Sequence, residues 1–448
     1  MRLSGPVRRN RAMLPSEGPP PAGAAPKSGL ALAMLFLVGL LNFVDRQILS
    51  VLVEPIRQDL MFSDLQFGLL TGLTFSLFYS LAAVPIAVAA DRSHRVRLIA
   101  TCCGLWSLFT AACGLAGSFL HLAIARFGVG IGEAGGTAPS LSLLSDLFPP
   151  ARRAWAIGLF SLNGPLGVFL GTSLAAWAAA EFGWRWVFFI MGAVGLIVAP
   201  LLLLLVREPV RGSMDSDPLA ATAERLRFRQ TLERLKADPA LRWTMVVCGL
   251  GAFVSYGMLN WLPAYLMRSE AMPLAAMGKW FAVAAGGTLG LGMWLGGTLA
   301  ARQAEQAGRG GYAVVPGAAS VLLVPALSVA LLLDGWTASL AGLLVPMTLC
   351  TMYIAPMLAL TQELARPAER ATVSALVMLA FNIVGLGFGP LFVGAVSDMV
   401  QPAFGDDSIG VALFGLVPVA ACGALASFRL AYILRRDMDS GQSQPAYA

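Results

Sequence analysis

The chain has 448 residues, of which 57% are hydrophobic and only 12% charged, whereas about a quarter of the residues in soluble proteins are charged. This composition indicates a membrane protein and excludes an ordinary soluble domain. The net charge of +6 requires no nucleic-acid partner, because the basic loops of a membrane protein face the anionic headgroups of the inner leaflet.

Twelve apolar segments, which we number spans 1 to 12, follow one another along the chain. Each is long enough, at about 1.5 Å per helical residue, to cross a hydrocarbon core of about 30 Å. Spans 1 to 6 are predicted at 30–54, 65–90, 96–117, 119–146, 154–179 and 184–206. Spans 7 to 12 are predicted at 243–267, 274–301, 312–333, 338–364, 371–398 and 408–434. The sequence therefore predicts an all-α membrane protein with two six-helix bundles, at 30–206 and 243–435.

Three polar segments flank the bundles. Residues 1–29 are rich in Pro, Ala, Gly and Arg and are expected to form a disordered cytoplasmic tail. Residues 207–242 mix acids and arginines and predict a cytoplasmic linker with a surface helix at 217–238. Residues 436–448 are expected to form a second cytoplasmic tail.

Lysine and arginine are concentrated in alternate loops, which predicts the orientation, since basic loops stay cytoplasmic. With the N-terminus placed inside, nearly all of the 31 basic residues lie in cytoplasmic segments. The exceptions are two arginines within spans and four residues of the opposite loops, Arg57, Arg185, Arg268 and Lys279. We therefore expect a multi-pass protein of the inner (plasma) membrane with both termini in the cytoplasm.

Signals of enzymes and of cofactor sites are weak in this sequence. The two histidines, His94 and His121, lie at the ends of predicted spans, and no nucleophile lies at a catalytic spacing from a base. The cysteines show no metal-cage spacing, and no segment matches the Walker phosphate-binding loop. We expect a protein that is not an enzyme, uses no cofactor or metal and is not driven directly by ATP.

Two charged pairs lie inside apolar spans of the first half. Asp45 and Arg46 belong to span 1, and Arg126 and Glu133 lie seven residues apart in span 4. A charge at the bilayer centre costs about 2.5 to 3.5 kcal/mol even on the lenient insertion scale, and usually persists there for function. The four charges sum to zero, which favours one neutralising cluster in a central cavity. A purely structural ion-pair network is the alternative.

Helical geometry predicts which charges of this cluster are partners and which one faces the cavity. Seven residues make about two turns, so that Arg126 and Glu133 share one face, and we expect Arg126 to be the partner of Glu133. Arg46 lies about 100° round the helix from Asp45 and is expected to face the cavity. The glycines within 128–132 allow another helix to approach.

The loop between spans 2 and 3 carries a family pattern. Ala90-Asp91-Arg92-Ser93-His94-Arg95-Val96-Arg97 resembles the loop motif of the major facilitator superfamily, Gly-x-x-x-Asp-Arg-x-Gly-Arg-x-Arg, with Ala87 and His94 in place of its glycines. An ordinary basic loop would explain the arginines but not Asp91. The resemblance implies that Asp91 ties the first half to the start of span 11 when the cytoplasmic face is closed. We assign a cytoplasmic gate to Asp91, Arg92, Arg95, Asp146 and Arg152.

Two further segments are similar to the spinster-type lysolipid and sphingolipid transporters. The first is Asn42-Phe43-Val44-Asp45-Arg46. The second runs from Arg126-Phe127-Gly128-Val129-Gly130-Ile131-Gly132-Glu133-Ala134 through Ala138-Pro139-Ser140 and Ser145-Asp146-Leu147-Phe148-Pro149 to Arg152-Arg153. The same segments resemble, less closely, the proton-coupled organic-anion symporters, which share the acid and arginine pairs. The resemblance covers about 30–435.

The resemblance implies a major facilitator fold and a proton-driven carrier that works by alternating access. Its implied substrate is an amphipathic lipid, such as a lysophospholipid or sphingoid phosphate, or a drug-like amphiphile, exported by proton antiport. Asp45 and Glu133 are the implied proton carriers. In general, burial favours the neutral carboxyl group and a nearby arginine favours the ionised one, so that such a group is poised to exchange a proton.

Substrate binding is assigned to residues of both halves. Phosphate would suit a bidentate arginine, and an acyl chain would suit an aromatic and apolar wall. The assigned residues are Arg46, Arg126, Phe75, Tyr79, Tyr256, Asn260, Trp261, Tyr353 and Asn382. We expect the protein to act as a monomer among membrane lipids.

Two other functions stay open. A proton-coupled symporter of small organic anions, such as sugar acids, would be expected to carry a cationic or strongly polar partner in its second half, where the spans hold no comparably deep charge. A membrane receptor that transports nothing would need neither the loop motif nor the buried carboxylates.

Overall fold

The computed structural model describes residues 25–211, 228–366 and 369–439. The first half consists of span 1, Ala25–Val51, extended by Val53–Leu60; span 2, Asp64–Gly68, Leu69–Leu73 and Thr74–Arg92; span 3, Arg95–Cys113; span 4, Phe119–Glu133 and Thr137–Leu147; span 5, Pro150–Ser161 and Asn163–Phe182; and span 6, Trp184–Leu205. The linker contains one described helix, Phe228–Ala237, inside the predicted surface helix. Residues 1–24, 212–227 and 440–448 of the predicted tails and linker lie outside the described residues.

The second half repeats this arrangement. It consists of span 7, Pro239–Arg268; span 8, Leu274–Ala276, Met277–Phe281 and Ala282–Ala307; span 9, Gly311–Ala330; span 10, Trp336–Leu349 and Ile354–Leu364; span 11, Arg370–Ala380, Phe381–Gly387 and Phe388–Phe404; and span 12, Ser408–Phe414 and Leu416–Asp439.

Span 7 begins earlier than the sequence predicted, at Pro239 instead of residue 243. The Asp238 side chain accepts a hydrogen bond from the backbone N–H of Ala240 at 2.9 Å, and Pro239 occupies the first helical position, where no N–H is needed. This is a favourable helix start, and the apolar periodicity alone did not reveal it.

Nine helical runs of the described residues are long and apolar enough to cross a membrane. Two of them, Leu274–Ala330 and Thr372–Arg436, each double back at a short 3-10 turn, at Gly308–Gly310 and Gly405–Asp407, and so contain two spans. The remaining span, span 4, is divided by a turn at 134–136. The predicted all-helical fold of twelve spans is therefore confirmed within the described part of the chain.

The two halves are built alike. Span 1 packs on span 5 and span 3 packs on span 6, while span 7 packs on span 11 and span 9 packs on span 12. Adding six to each number of the first set gives the second set. The contacts between the halves are related in the same way. Span 2 packs on span 11 and span 8 packs on span 5, and in this correspondence span 2 is equivalent to span 8 and span 5 to span 11. The helix order therefore has the internal duplication found in many transporters.

The hydrophobic core joins the two halves at one end of the molecule. There a single buried cluster includes Ile56, which follows span 1, and Trp261 of span 7. Towards the other end the described core divides into a cluster around Ile99, built almost entirely from the first half, and a cluster around Leu430 of the second half. The halves are therefore packed together at one end and have separate cores at the other.

Spans 2 and 11 cross closely at the joined end. A Cβ atom added to Gly72 would lie 2.5 Å from the carbonyl oxygen of Gly387, which leaves no room for a side chain. Both spans contain a π-helical turn at this crossing, at Leu69–Leu73 and Phe381–Gly387. Such turns are frequent at functional segments, and these two bring residues of both halves into contact.

Candidate functional site

The four charged residues of spans 1 and 4 lie together. Arg46 Nε donates to Glu133 Oε2 at 2.7 Å, and the charges of Arg126 and Arg46 both act on Asp45. Asp45, Arg126 and Glu133 are buried, with Glu133 fully so, whereas 20% of the Arg46 side chain is exposed. The predicted cluster is present, and Arg46 is its most exposed member.

The pairing within the cluster differs from the sequence-based expectation that Arg126 is the partner of Glu133. Two residues seven positions apart are separated by about 10.5 Å along the helix axis, so a shared face alone does not bring their side chains into contact. Glu133 is paired with Arg46 instead. Among the described residues, Arg126 Nε and Nη1 make no hydrogen bond. The expectation was wrong because helical periodicity gives the face of a residue and says nothing about its partner on another helix.

Asp45 is held by a residue of span 3. The Thr110 hydroxyl donates to Asp45 Oδ2 at 2.6 Å, and both residues are buried. The second carboxylate oxygen, Oδ1, makes no hydrogen bond within the described part of the chain, and the same is true of Glu133 Oε1. Each acid of the cluster is therefore fixed through one oxygen only.

The glycines of span 4 allow this arrangement. A Cβ atom on Gly132 would lie 2.7 Å from the Cβ and 2.8 Å from the backbone nitrogen of Trp106 in span 3. The helices can approach this closely only because position 132 has no side chain. The close crossing brings Glu133 and Thr110, which follows Trp106 by one turn, into one layer of the bundle.

Aromatic rings of the first half surround the Arg46 guanidinium. Its Cζ atom lies 4.9 Å from the ring centroid of Tyr79, 5.0 Å from that of Phe75 and 5.7 Å from that of Phe43. Arg126 Cζ lies 5.0 Å from the same Phe75 ring. Cation–π contacts contribute about 0.5–1 kcal/mol at exposed sites and more when desolvated. Phe75 and Tyr79, both assigned from the sequence, therefore help to fix the two arginines.

Tyr256 is a second-half residue of the assigned set that interacts with the charged cluster. It lies within electrostatic range of Arg46 and packs edge-on against Phe381, with ring centroids 5.6 Å apart. Asn260, one turn further along span 7, accepts a hydrogen bond from the Ser50 hydroxyl of span 1 at 2.7 Å. Tyr256 thus faces the cluster, while Asn260 joins the two halves.

The remaining second-half residues lie in different surroundings. Trp261 is buried at the joined end, where its Nε1 donates to the Pro390 carbonyl at 2.8 Å. Tyr353 is buried against span 7, and its ring lies 6.3 Å from that of Phe381. Asn382 is half-buried in the π-helical turn of span 11. The structure therefore does not bring Trp261 to the charged cluster.

The end with separate cores, which we call the loop-motif face, carries the loop between spans 2 and 3. Buried Arg95 donates from Nη1 to Asp146 Oδ2 of span 4 at 2.6 Å and from Nε to Glu208 Oε1 at 2.7 Å. Glu208, which follows span 6, also accepts from the backbone N–H of Val96 at 2.9 Å. These contacts join three segments of the first half, and Glu208 was not singled out from the sequence.

The other predicted gate residues are less constrained. Arg92 and Arg152 are exposed. Asp91 belongs to the last turn of span 2, and its side chain lies outside the described residues. The gate assignment therefore stays a prediction, with Arg95 and Asp146 as the pair in contact.

Glu208 gives this face a pH dependence. Burial pushes the pKa of Glu208 up, but the Val96 N–H and the Arg95 guanidinium outweigh it and hold that pKa below its ordinary value of 4.5. A lowered folded-state pKa contributes stability above the unfolded pKa, and this contribution is lost as the pH falls through the folded value. We expect Glu208→Gln to lower the melting temperature at pH 7, with the difference from wild type shrinking as the pH falls from 4.5 through the lowered folded-state pKa. Melting curves across pH measure it, and a difference that persists in acid would contradict it.

The opposite end, which we call the joined face, has its own charged network between the halves. Arg268 at the end of span 7 donates from Nε to Glu54 Oε1 at 2.8 Å and from Nη1 to Asp64 Oδ2 at 2.8 Å. From span 11, Asp398 accepts hydrogen bonds from the backbone N–H groups of Asp64 and Leu65, each at 2.9 Å. Carboxylates of each half are thus bound by donors of the other. Sequence patterns did not indicate this network, because its members come from four helices in distant parts of the chain.

No group of three or more potential metal ligands occurs among the residues that the structure describes. The polar side-chain atoms described for the central cluster belong to arginines, carboxylates and one hydroxyl, and the contacts observed among them are an ion pair and hydrogen bonds.

Comparison with known proteins identifies the fold. The family model described as Major Facilitator Superfamily matches residues 35–390. An MFS-type efflux pump of Mycolicibacterium smegmatis is 35% identical over 91% of this chain and 94% of its own length. A hexuronate transporter of Bacillus subtilis is 30% identical, over 54% of this chain and 57% of that protein.

Among solved structures, one of a bacterial homologue of the human lysosomal transporter spinster, in an inward-facing and unoccupied conformation, has a TM-score of 0.82. It is 26% identical to this chain, and the match covers 93% of this chain and 99% of the other. The predicted resemblance to the spinster type is therefore confirmed at the level of the structure. With twelve spans, a central charged cluster and a family match over most of its length, the chain is a multi-pass membrane protein that belongs to the major facilitator superfamily, a family of secondary transporters and not of enzymes.

Proposed function

We propose that the protein is a proton-coupled exporter of an amphipathic molecule that works by alternating access. The observation that carries this proposal is the Arg46–Glu133 ion pair, which lies beside Asp45 and Arg126 inside the membrane-spanning part of the first half. Buried charges persist in spans chiefly for function, and two acids each fixed through one oxygen leave a second oxygen for a proton.

Proton coupling follows from competition at the cluster. Arg46 is the most exposed charged residue of the cluster, and it would bind an anionic headgroup. A positively charged group of the same substrate would compete with a proton for the free oxygens of Asp45 and Glu133. Substrate and proton would thus occupy the carboxylates in turn, as antiport requires.

The chemistry of the surroundings supports an amphipathic substrate. A guanidinium offers a planar fork to a phosphate or carboxylate, and the rings of Phe75, Tyr79 and Tyr256 near Arg46 provide an apolar wall. We propose a lysophospholipid or sphingoid phosphate, or a drug-like amphiphile, as substrate. The efflux function in the name of the Mycolicibacterium relative supports export, and the resemblance to the spinster type, which implies a lipid substrate, supports this class.

We infer that the loop-motif face is cytoplasmic, with both termini on that side. The basic residues concentrate there, as inner-membrane orientation requires. The central cluster would then open to the cytoplasm, because the halves are tied at the joined face. The resemblance to an inward-facing spinster homologue supports this assignment. We propose that the protein functions as a monomer in the inner membrane.

The alternative is proton-coupled symport of a small organic anion such as a sugar acid. The partial match to a hexuronate transporter and the exposed Arg46 favour it. Against it, the charge of Arg46 acts on the aromatic Tyr256 of the second half, which packs against Phe381, and the second-half spans hold no comparably deep charge. A small hydrophilic anion would have no charged partner from that side of the site.

Transport by the purified protein in liposomes tests the two functions. A pH gradient is imposed and the uptake of a lysophosphatidylcholine, sphingosine 1-phosphate, ethidium or a hexuronate is followed, together with internal pH. We expect uptake of an amphiphile against an opposing flow of protons, and collapse of uptake when a protonophore is added. Protein-free liposomes are the control. Proton entry together with hexuronate would establish the symporter, and transport indifferent to pH would overturn proton coupling.

A further inference from the structure

Thr110 directs its hydroxyl proton differently from other threonines of the spans, such as Thr71, Thr244 and Thr288. Hydroxyls in apolar helices commonly donate to a carbonyl of the preceding turn. Thr71, Thr244 and Thr288 do so, with their bonds to Phe67, Ala240 and Ala284 at 3.1, 2.8 and 2.6 Å. Thr110 instead donates across to span 1, to Asp45 Oδ2 at 2.6 Å. The hydroxyl is therefore used between helices and not for its own backbone.

The contact between Thr110 and Asp45 is buried, and it uses only one of the two carboxylate oxygens. Thr110 and Asp45 are both buried, so water does not compete for either group. Asp45 Oδ1 makes no hydrogen bond among the described residues, and the positive charges of Arg126 and Arg46 act on Asp45. A hydroxyl that donates to one carboxylate oxygen leaves the other as the atom that can take a proton.

We propose that Thr110 is a positioning residue for Asp45, which it holds through Oδ2 so that Oδ1 exchanges the proton. This inference rests on the proposed function, since it assigns proton exchange to Asp45. The hydrogen bond stabilises the ionised carboxylate more than the neutral acid, because charge-assisted hydrogen bonds are the stronger ones. Thr110 would thus set the pH at which Asp45 is loaded, in addition to fixing its rotamer.

The charged and titratable groups that face Asp45 are few. Arg46 belongs to the same span, Arg126 and Glu133 belong to span 4, and Cys113 belongs to span 3, one turn after Thr110. None of them is altered by a substitution at position 110. A change in the titration of Asp45 in a Thr110 variant is therefore assigned to the lost hydrogen bond once the fold is shown to be intact.

The test uses infrared difference spectra of the purified full-length protein titrated with acid, which report the carbonyl stretch of a protonated carboxyl group without any substrate. The band that disappears in Asp45→Asn belongs to Asp45. In Thr110→Val we expect this band to titrate at a pH about one to two units higher, since a hydrogen bond to a charged group is lost, and to move to higher wavenumber. Thr110→Ser should restore both values.

The controls separate the possible failures. Thr288→Val removes a hydroxyl that bonds only its own helix and should leave the band unchanged, and Thr110→Ala removes the donor with less bulk, should the valine variant not fold. If no titrating band is lost in Asp45→Asn, the proposed proton role of Asp45 is wrong. If the band is lost there but keeps its wild-type midpoint in both Thr110→Val and Thr110→Ala, proton exchange at Asp45 stands and the role of Thr110 is overturned.

Discussion

Asp45→Asn and Glu133→Gln are each expected to abolish proton-driven accumulation of substrate while leaving the protein folded. Both replacements keep the shape of the side chain and an acceptor oxygen, so that Thr110 can still donate to position 45 and Arg46 to position 133. What they remove is the ability to bind and release a proton. The measurement is accumulation in liposomes under a pH gradient, and we expect it to fall to the level of protein-free liposomes.

Exchange of substrate without a pH gradient distinguishes a loss of proton coupling from a general loss of transport. A carrier that has lost its proton site can still exchange labelled for unlabelled substrate across the membrane, so we expect counterflow to persist in at least one of the two variants. Glu181→Gln is the matched control, because Glu181 is exposed at the end of span 5, and it should behave as wild type. Gradient-driven accumulation at the wild-type rate in both Asp45→Asn and Glu133→Gln would refute the proton role.

Replacement of Arg268 by alanine should weaken the contacts that hold the two halves together at the joined face. Its guanidinium binds Glu54 and Asp64 of the first half, and all three side chains are largely buried. Removing one partner of a buried ion pair costs about 3–5 kcal/mol, because the charges that stay behind are uncompensated. If the joined face opens in the other state of the transport cycle, the cost applies only to the present state, in which the ion pair forms. It then corresponds to a population shift of more than about a hundredfold.

Distances between spin labels measure this shift. Labels at Met61→Cys and Gln401→Cys span the joined face, and labels at Arg97→Cys and Arg302→Cys span the loop-motif face; these sites are exposed. Cys422, the exposed native cysteine, is first replaced by serine. In Arg268→Ala we expect the first distance to lengthen and the second to shorten.

The joined face offers a matched control for Arg268. Arg185 pairs with Asp59 within the first half, and these side chains are 41% and 44% exposed. Exposed pairs contribute about 0–1 kcal/mol, so Arg185→Ala should leave both label distances unchanged. Arg268→Lys should shift them partly, because an ammonium lacks the fork that reaches two carboxylates. Unchanged distances in Arg268→Ala would show that the network does not hold the halves together.

The helix count and the members of the charged cluster followed from the sequence by itself. The thickness of the bilayer sets the length of an apolar helix, so each span is a local property that can be read without knowledge of its neighbours. The cost of a charge in lipid is equally local, which is why Asp45, Arg46, Arg126 and Glu133 stood out. The family resemblance of the loop and of span 4 added the architecture and the transporter class.

The partners of these charges were decided only by the tertiary structure. Periodicity placed Arg126 and Glu133 on one face, but Glu133 forms its ion pair with Arg46 of another helix, because the packing of spans 1 and 4 brings those two side chains closer. Thr110 looked like any other threonine until span 3 set it against Asp45. The network of Arg268, and with it the face at which the halves meet, joins residues about 200 positions apart. Contacts between distant helices depend on crossing geometry and on the state of the transport cycle, and no local pattern encodes either of them.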